Sequence, residues 1–202
     1  MKPISIKYFL FRILLWVPIS LAIWYFSYPA LLFLSSILSN ILLPFISNHA
    51  IHLTQLNADN ISLDIITNFI DRIPNEPADK KGRMAFTINV MKYAYGLPFF
   101  IALALASPTT LSIKIRNIIF CILLVTLVQL WGISFEVFKI LNYEMGEKVS
   151  AHMAASYSLK EFIKLGYHLG ALIIPSVAPI TLWFVLYQKY YILSEGKLYL
   201  KT

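Results

Sequence analysis

The sequence predicts a membrane protein with four transmembrane helices and a small three-stranded antiparallel β-module on the extracytoplasmic side. Three observations carry that prediction. Of 202 residues, 58% are hydrophobic and 13% charged, whereas soluble domains average about 45–50% apolar and about 25% charged. The mean hydropathy of +0.70 agrees, and a soluble fold of this size has too little interior for so much apolar surface. Long apolar runs alternate with short polar ones. Between them, residues 48–90 switch to an apolar/polar period of two, the strand period. A free soluble enzyme and a nucleic-acid binder are set aside on composition alone.

The elements follow in order. The first apolar stretch, about 8–45, is too long for a signal-peptide core of about 7–15 residues and too long for one upright span of about 20. Arg12, Pro18 and Pro29 interrupt it. Beyond Pro29, Leu31, Leu34, Leu38, Ile41 and Leu42 share one face against Ser35, Ser36, Ser39 and Asn40, an amphipathic spacing. The expectation is a span over 7–28 continued by an interfacial helix that covers the sheet; a second full span is the alternative. Ile51 and Leu53, then Ile61 to Phe69, then Met84 to Val90 alternate with polar or small residues and predict three strands. The turn Asn57-Ala58-Asp59-Asn60 separates the first two, since Asn and Asp bond back to their own backbone. Further spans are expected over 93–107, 117–141 and 166–190, the last containing Pro175 and Pro179. Ser158 with Glu161 has capping-box spacing. Three regions result: an anchor with its extension (1–47), the β-module (48–91) and a three-helix membrane region (92–202).

Four spans place both termini on one side. Lys2, Lys7, Arg12, Lys114, Arg116, Lys189, Lys197 and Lys201 fall there against Glu195 alone, 8 − 1 = +7, which is the whole net charge of the chain. Lys and Arg in short flanking segments favour the cytoplasm, so cytoplasmic termini are expected, and the charge reads as orientation rather than as a nucleic-acid footprint.

The single cysteine, Cys121, permits no internal disulfide and sits in an apolar run that suits a buried thiol. His52, His152 and His168 could meet on the outer face with Asp64 or Glu136, but metal sites need three or four ligands at suitable spacing. No cofactor is assigned. Glu136 near the outer end of the third span is a candidate functional contact, because ionisable groups at membrane depth are costly. Trp16, Trp24, Trp131 and Trp183 suit interfacial belts. Gly166, Gly170 and Ala171 form a small-residue face that lets helices approach.

Short motifs complete the picture: Phe11-Arg12-Ile13-Leu14-Leu15-Trp16-Val17-Pro18, Tyr95-Gly96-Leu97-Pro98 and Gln129-Leu130-Trp131-Gly132. In these the chain resembles the exosortase H-associated membrane proteins, loosely over residues 1–140. The resemblance implies a multi-pass protein of the bacterial inner membrane, acting as a non-catalytic accessory or scaffold for an enzyme that sorts surface proteins. Its partners would be the lipid bilayer and either an exosortase-type enzyme or that enzyme's protein substrate. Tyr95, Gly96, Pro98, Trp131, Gly132 and Glu136 are the candidate contacts, and an edge strand at 51–56 or 84–90 could take up an extended peptide. The competing readings are a membrane enzyme using Glu136 and histidines, or a small transporter component.

Overall fold

The computed structural model describes residues 3–4, 6–59, 61–72, 81–194 and 197–200. Lys2, Asn60, most of the 71–82 loop, Glu195 and Lys201, all used in the sequence reading, lie outside the described residues. The order is β1 (Pro3–Ile4), α1 (Ile6–Ile46), β2 (Ile51–Leu56), β3 (Ser62–Arg72), β4 (Lys81–Asn89), a 3-10 turn (Met91–Tyr93), α2 (Gly96–Ala106), α3 (Leu111–Tyr143), α4 (Glu147–Met153), α5 (Tyr157–His168), a π-helical turn (Leu169–Ile173), α6 (Ile174–Tyr187), β5 (Tyr191–Ser194) and β6 (Lys197–Leu200).

Among the described residues three helices, not four, are long and apolar enough to cross a membrane: Ile6–Ile46, Leu111–Tyr143 and Tyr157–Tyr190. The expected span at 93–107 is α2, with 11 residues. At 1.5 Å per residue it reaches about 16 Å, roughly half of a hydrocarbon core of about 30 Å. Its apolarity has another cause. Gly96, Leu97, Pro98, Phe100, Ala102, Ala104 and Ala106 are buried in protein, so α2 is wrapped by neighbouring helices instead of lipid. The non-helical leg leading into it is buried too, with Val90 and Tyr93 at 0% and Ala94 at 1% exposure. Irregular backbone is tolerated in such a bundle only where protein surrounds it.

Helix α1 runs unbroken through Pro18 and Pro29. Its exposed residues, including Leu14, Phe26 and Ile41, mark surface suited to lipid or another apolar partner. Tyr28, Leu32 and Leu43 join Ile51, Leu63, Ile65 and Ile88 of the sheet in one core. The sheet has the order β2-β3-β4, antiparallel throughout, with Leu56 opposite Leu63 and Ile65 opposite Phe86. Leu63, Ile65, Thr67 and Ile88 are fully buried, which is the face that the period-two pattern marks. The β-module therefore differs from the expected extracytoplasmic unit. It is an open sheet laid on the continuation of α1, and nothing in its fold assigns it to that side of the membrane. Asn48 and His49, at φ of 51° and 59°, make the turn from α1 into β2, with Asn68 Nδ2 donating to the His49 carbonyl at 2.7 Å.

At the opposite end the two ends of the chain meet. Phe9 stacks on Trp183, Trp183 Nε1 donates to Ser107 Oγ at 3.1 Å, and Lys114 Nζ donates to the Leu105 carbonyl at 2.8 Å. A second small sheet, β1-β6-β5, pairs Pro3 with Tyr199. Helix α5 is capped by Ser156, whose side chain accepts from the Leu159 amide, rather than by the expected Ser158.

Candidate functional site at the helix junction

Glu136 is the centre of a polar cluster where the 3-10 turn meets α3. Lys92 Nζ lies 2.5 Å from Glu136 Oε1, and the Tyr93 hydroxyl donates to Oε2 at 2.7 Å. Burial and, after it, the adjacent carboxylate push the Tyr93 hydroxyl well above the usual tyrosine range, so it stays a donor. The Tyr167 ring stands between two ammonium groups, Lys92 at 5.6 Å and Lys139 at 4.8 Å from its centre, and Lys139 in turn pairs with Glu144 at 2.7 Å. Both oxygens of Glu136 are engaged, so the geometry is that of a clamp fixing the turn to α3. A ligand or proton would have to displace one of these bonds. Lys92, Tyr93 and Tyr167 were not singled out in the sequence. The available signal was that a carboxylate at that depth requires a partner.

The other candidate residues converge just beneath. An added Cβ on Gly132 would meet the Tyr93 ring at 2.3 Å, and one on Gly96 would meet the Pro175 carbonyl oxygen at 1.9 Å. Pro179 has no N–H to offer that carbonyl as a helical partner, and the bare α-carbon of Gly96 lets α2 close over it. The Tyr95 hydroxyl donates to the Leu172 carbonyl at 2.9 Å, inside the π-helical turn. Such turns leave backbone groups to find other partners. Pro98 is buried. Trp131 Nε1 donates to the Gly166 carbonyl at 3.1 Å, while Gly166 seats against Phe135 and Gly170 against Trp131 and Gly132. Gly96, Pro98 and Gly132 are therefore internal packing residues. Trp131 and Glu136 retain some surface. Trp24 is buried, at 8% exposure, and packs edge-on against Tyr28.

The histidines do not join them. His152 packs its ring edge-on to Phe69, with centroids 5.2 Å apart, and His168 lies beside Tyr167. Asp64 accepts from Asn57 and Thr87 instead. Among the described residues, no three His, Cys, Asp or Glu side chains are grouped as a metal would need.

The sheet edges differ sharply. The Thr54 N–H donates to Asn40 Oδ1 at 2.6 Å, and Asn40 Nδ2 donates to the Thr54 carbonyl at 2.9 Å. One side-chain amide thus occupies the place of a neighbouring strand, and Thr54 Oγ1 adds a bond to the Ser36 carbonyl. The edge at 51–56 is capped at Thr54. Among the described residues no strand lies beyond β4, at the other side of the order β2-β3-β4, and Arg83, Ala85 and Thr87 are exposed along it.

Long apolar helices locked by a buried half-length helix, with an open sheet at one end, define a multi-pass membrane protein. The sequence over residues 3–190 matches the family model described as exosortase H-associated membrane protein, and the chain belongs to that family. No curated protein and no solved structure is significantly similar to it. Membership supports an accessory or scaffold role in an exosortase-type sorting system.

Proposed function

We propose that the chain is a non-catalytic docking subunit. In this reading the Glu136 junction holds the sheet in fixed orientation on the bundle, and the free edge of β4 receives an extended segment of the exosortase or of its protein substrate. The observation that carries the reading is the asymmetry of the sheet: α1 caps one edge through Asn40, while among the described residues no strand pairs with the other. Unpaired edges bind strands by main-chain hydrogen bonding. The terminal end of the bundle faces the cytoplasm, supported by Arg12, Lys114 and Arg116 with no Asp or Glu anywhere in residues 1–58 or 80–135. Tagged protein extracted in mild detergent should bring an exosortase with it in fixed stoichiometry. Recovery of the chain alone, from cells that express both, would contradict the proposal. A cysteine placed after Lys7 should resist membrane-impermeant thiol reagent in intact cells; labelling there would reverse the orientation.

A further inference from the structure

At the end of the bundle opposite the sheet, two cations converge on one oxygen. Arg12 Nη2 donates to the Leu105 carbonyl at 3.4 Å, and Lys114 Nζ donates to the same oxygen at 2.8 Å. Leu105 lies in the last turn of α2, where helix carbonyls have no intrahelical partner, so both side chains cap that end. The cap leaves positive charge over, because a helix C-terminus carries about half a negative charge against two full positive ones. Both side chains are half-buried and so retain access from outside, and each has further N–H donors to offer. Among the described residues neither joins an ion pair; Arg12 adds a ring contact, 5.9 Å from the centre of Tyr8. The sequence has no Asp or Glu in residues 1–58, 80–135 or 162–194, so α1, α2 and α6 supply no carboxylate.

The depth of this pair identifies the missing anion. Tyr8, Arg12 and Trp16 recur at every fourth residue of α1, so aromatic rings stand one turn to either side of the guanidinium. Such rings lie at the level of the lipid headgroups. One turn further into the membrane, Leu15 is exposed on α1 and Ile118 half-buried on α3, apolar surface of the kind an acyl chain covers. We propose that Arg12 and Lys114 bind the phosphate of an anionic phospholipid. The Leu105 carbonyl holds the two cations together, the phosphate oxygens accept from both, and an acyl chain runs past Leu15 and Ile118. A zwitterionic lipid carries the same phosphate, but its ammonium group would meet two like charges and no carboxylate, so the site selects a headgroup with net negative charge. It lies at the other end of the bundle from the β4 edge and does not depend on the role proposed for that edge.

The test titrates the full chain, in nonionic detergent, with phosphatidylglycerol, phosphatidylcholine and inorganic phosphate, and follows the bound states by native mass spectrometry. Phosphatidylglycerol should bind about tenfold more tightly than phosphatidylcholine, the scale of two half-exposed ion pairs. Arg12→Gln and Lys114→Gln should each lose about threefold, and the double variant should show no preference. Arg116→Gln removes an exposed cation of the same end and should keep the preference, which separates a site from a diffuse basic field. In the native chain, phosphatidylglycerol with a photoreactive acyl chain should label Leu15 or Ile118, a readout that requires no variant to fold. Equal binding of the two lipids, equal losses in Arg116→Gln and Lys114→Gln, or labelling that avoids both residues would overturn the inference. Displacement of phosphatidylglycerol by inorganic phosphate would assign the cations to a soluble anion, and a gain of about tenfold in Glu195→Gln would make that carboxylate their partner; either result contradicts the lipid site.

Discussion

Replacing Glu136 by alanine tests how the sheet is fixed to the bundle. The substitution strips Tyr93 of its acceptor and Lys92 of its counter-charge. Tyr93 is fully buried, and a buried hydrogen bond to a charged group contributes about 1.5–3 kcal/mol. The Lys92 side chain is 34% exposed, so its pairing is discounted to about 0–1 kcal/mol, the range of accessible ion pairs. Together the loss is about 3 kcal/mol, or more than a hundredfold in the unfolding equilibrium at about 1.4 kcal/mol per decade. The assay is steric-trap unfolding in bicelles for the native chain, Glu136→Ala, Tyr93→Phe and the double variant. Because Tyr93→Phe removes the same bond, the double variant should be about 1–2 kcal/mol less destabilised than the sum of the singles. Additivity to within about 0.5 kcal/mol would refute the clamp, since independent sites add that closely.

The remaining predictions concern packing, the capped edge and the turn. Gly96→Ala and Gly132→Ala drive a methyl group into the Pro175 carbonyl and the Tyr93 ring. Each should cost about 1–3 kcal/mol as overpacking in the same unfolding assay, and neutrality would show that the helices can separate freely. Asn40→Ala uncovers both main-chain groups of Thr54; it should lose about 1–3 kcal/mol for the exposed donor and acceptor and self-associate on size-exclusion chromatography, which an unchanged elution profile would contradict. The Asp59 carboxylate accepts from the Ile61 and Ser62 amides and the Ser62 hydroxyl, and these bonds, the Ile61 amide first, hold it below its usual value of 3.8. Its stabilisation of the turn is therefore present above pH 4 and is lost as the pH falls through the lowered folded value. Hydrogen-exchange protection at Ile61 and Ser62, taken against the intrinsic rate at each pH, should fall in that acid range in the native chain but not in Asp59→Asn; identical acid responses would refute it.

Periodicity makes the sheet legible in the sequence, because a half-buried strand writes its buried face into every second residue, as Leu63, Ile65 and Thr67 do. Hydropathy misjudged α2 for a physical reason. An 11-residue helix buried among helices and a lipid-facing span are equally apolar, and only length separates them. The glycines and prolines of the junction stood out as motifs, but their work is mutual: Gly96 is defined by Pro175 and Pro179, and Gly132 by Tyr93. Those pairings are distant in sequence. Asn40 looked like one more polar residue on the weak face of a helix. That it completes a strand edge depends on the register that puts Thr54 beside it. The small sheet of β1, β5 and β6 was hidden by brevity, since strands of 2–4 residues are too short to show a period.

Site-specific photocrosslinking in cells that also express the exosortase tests the docking role most directly. A photoreactive residue at Arg83, Ala85 or Thr87 of β4 should yield a crosslinked band containing the exosortase or its substrate, and the same residue at His52 or Gln55 of the capped strand β2 should not. Crosslinks confined to β2, or equal at both edges, would contradict the account.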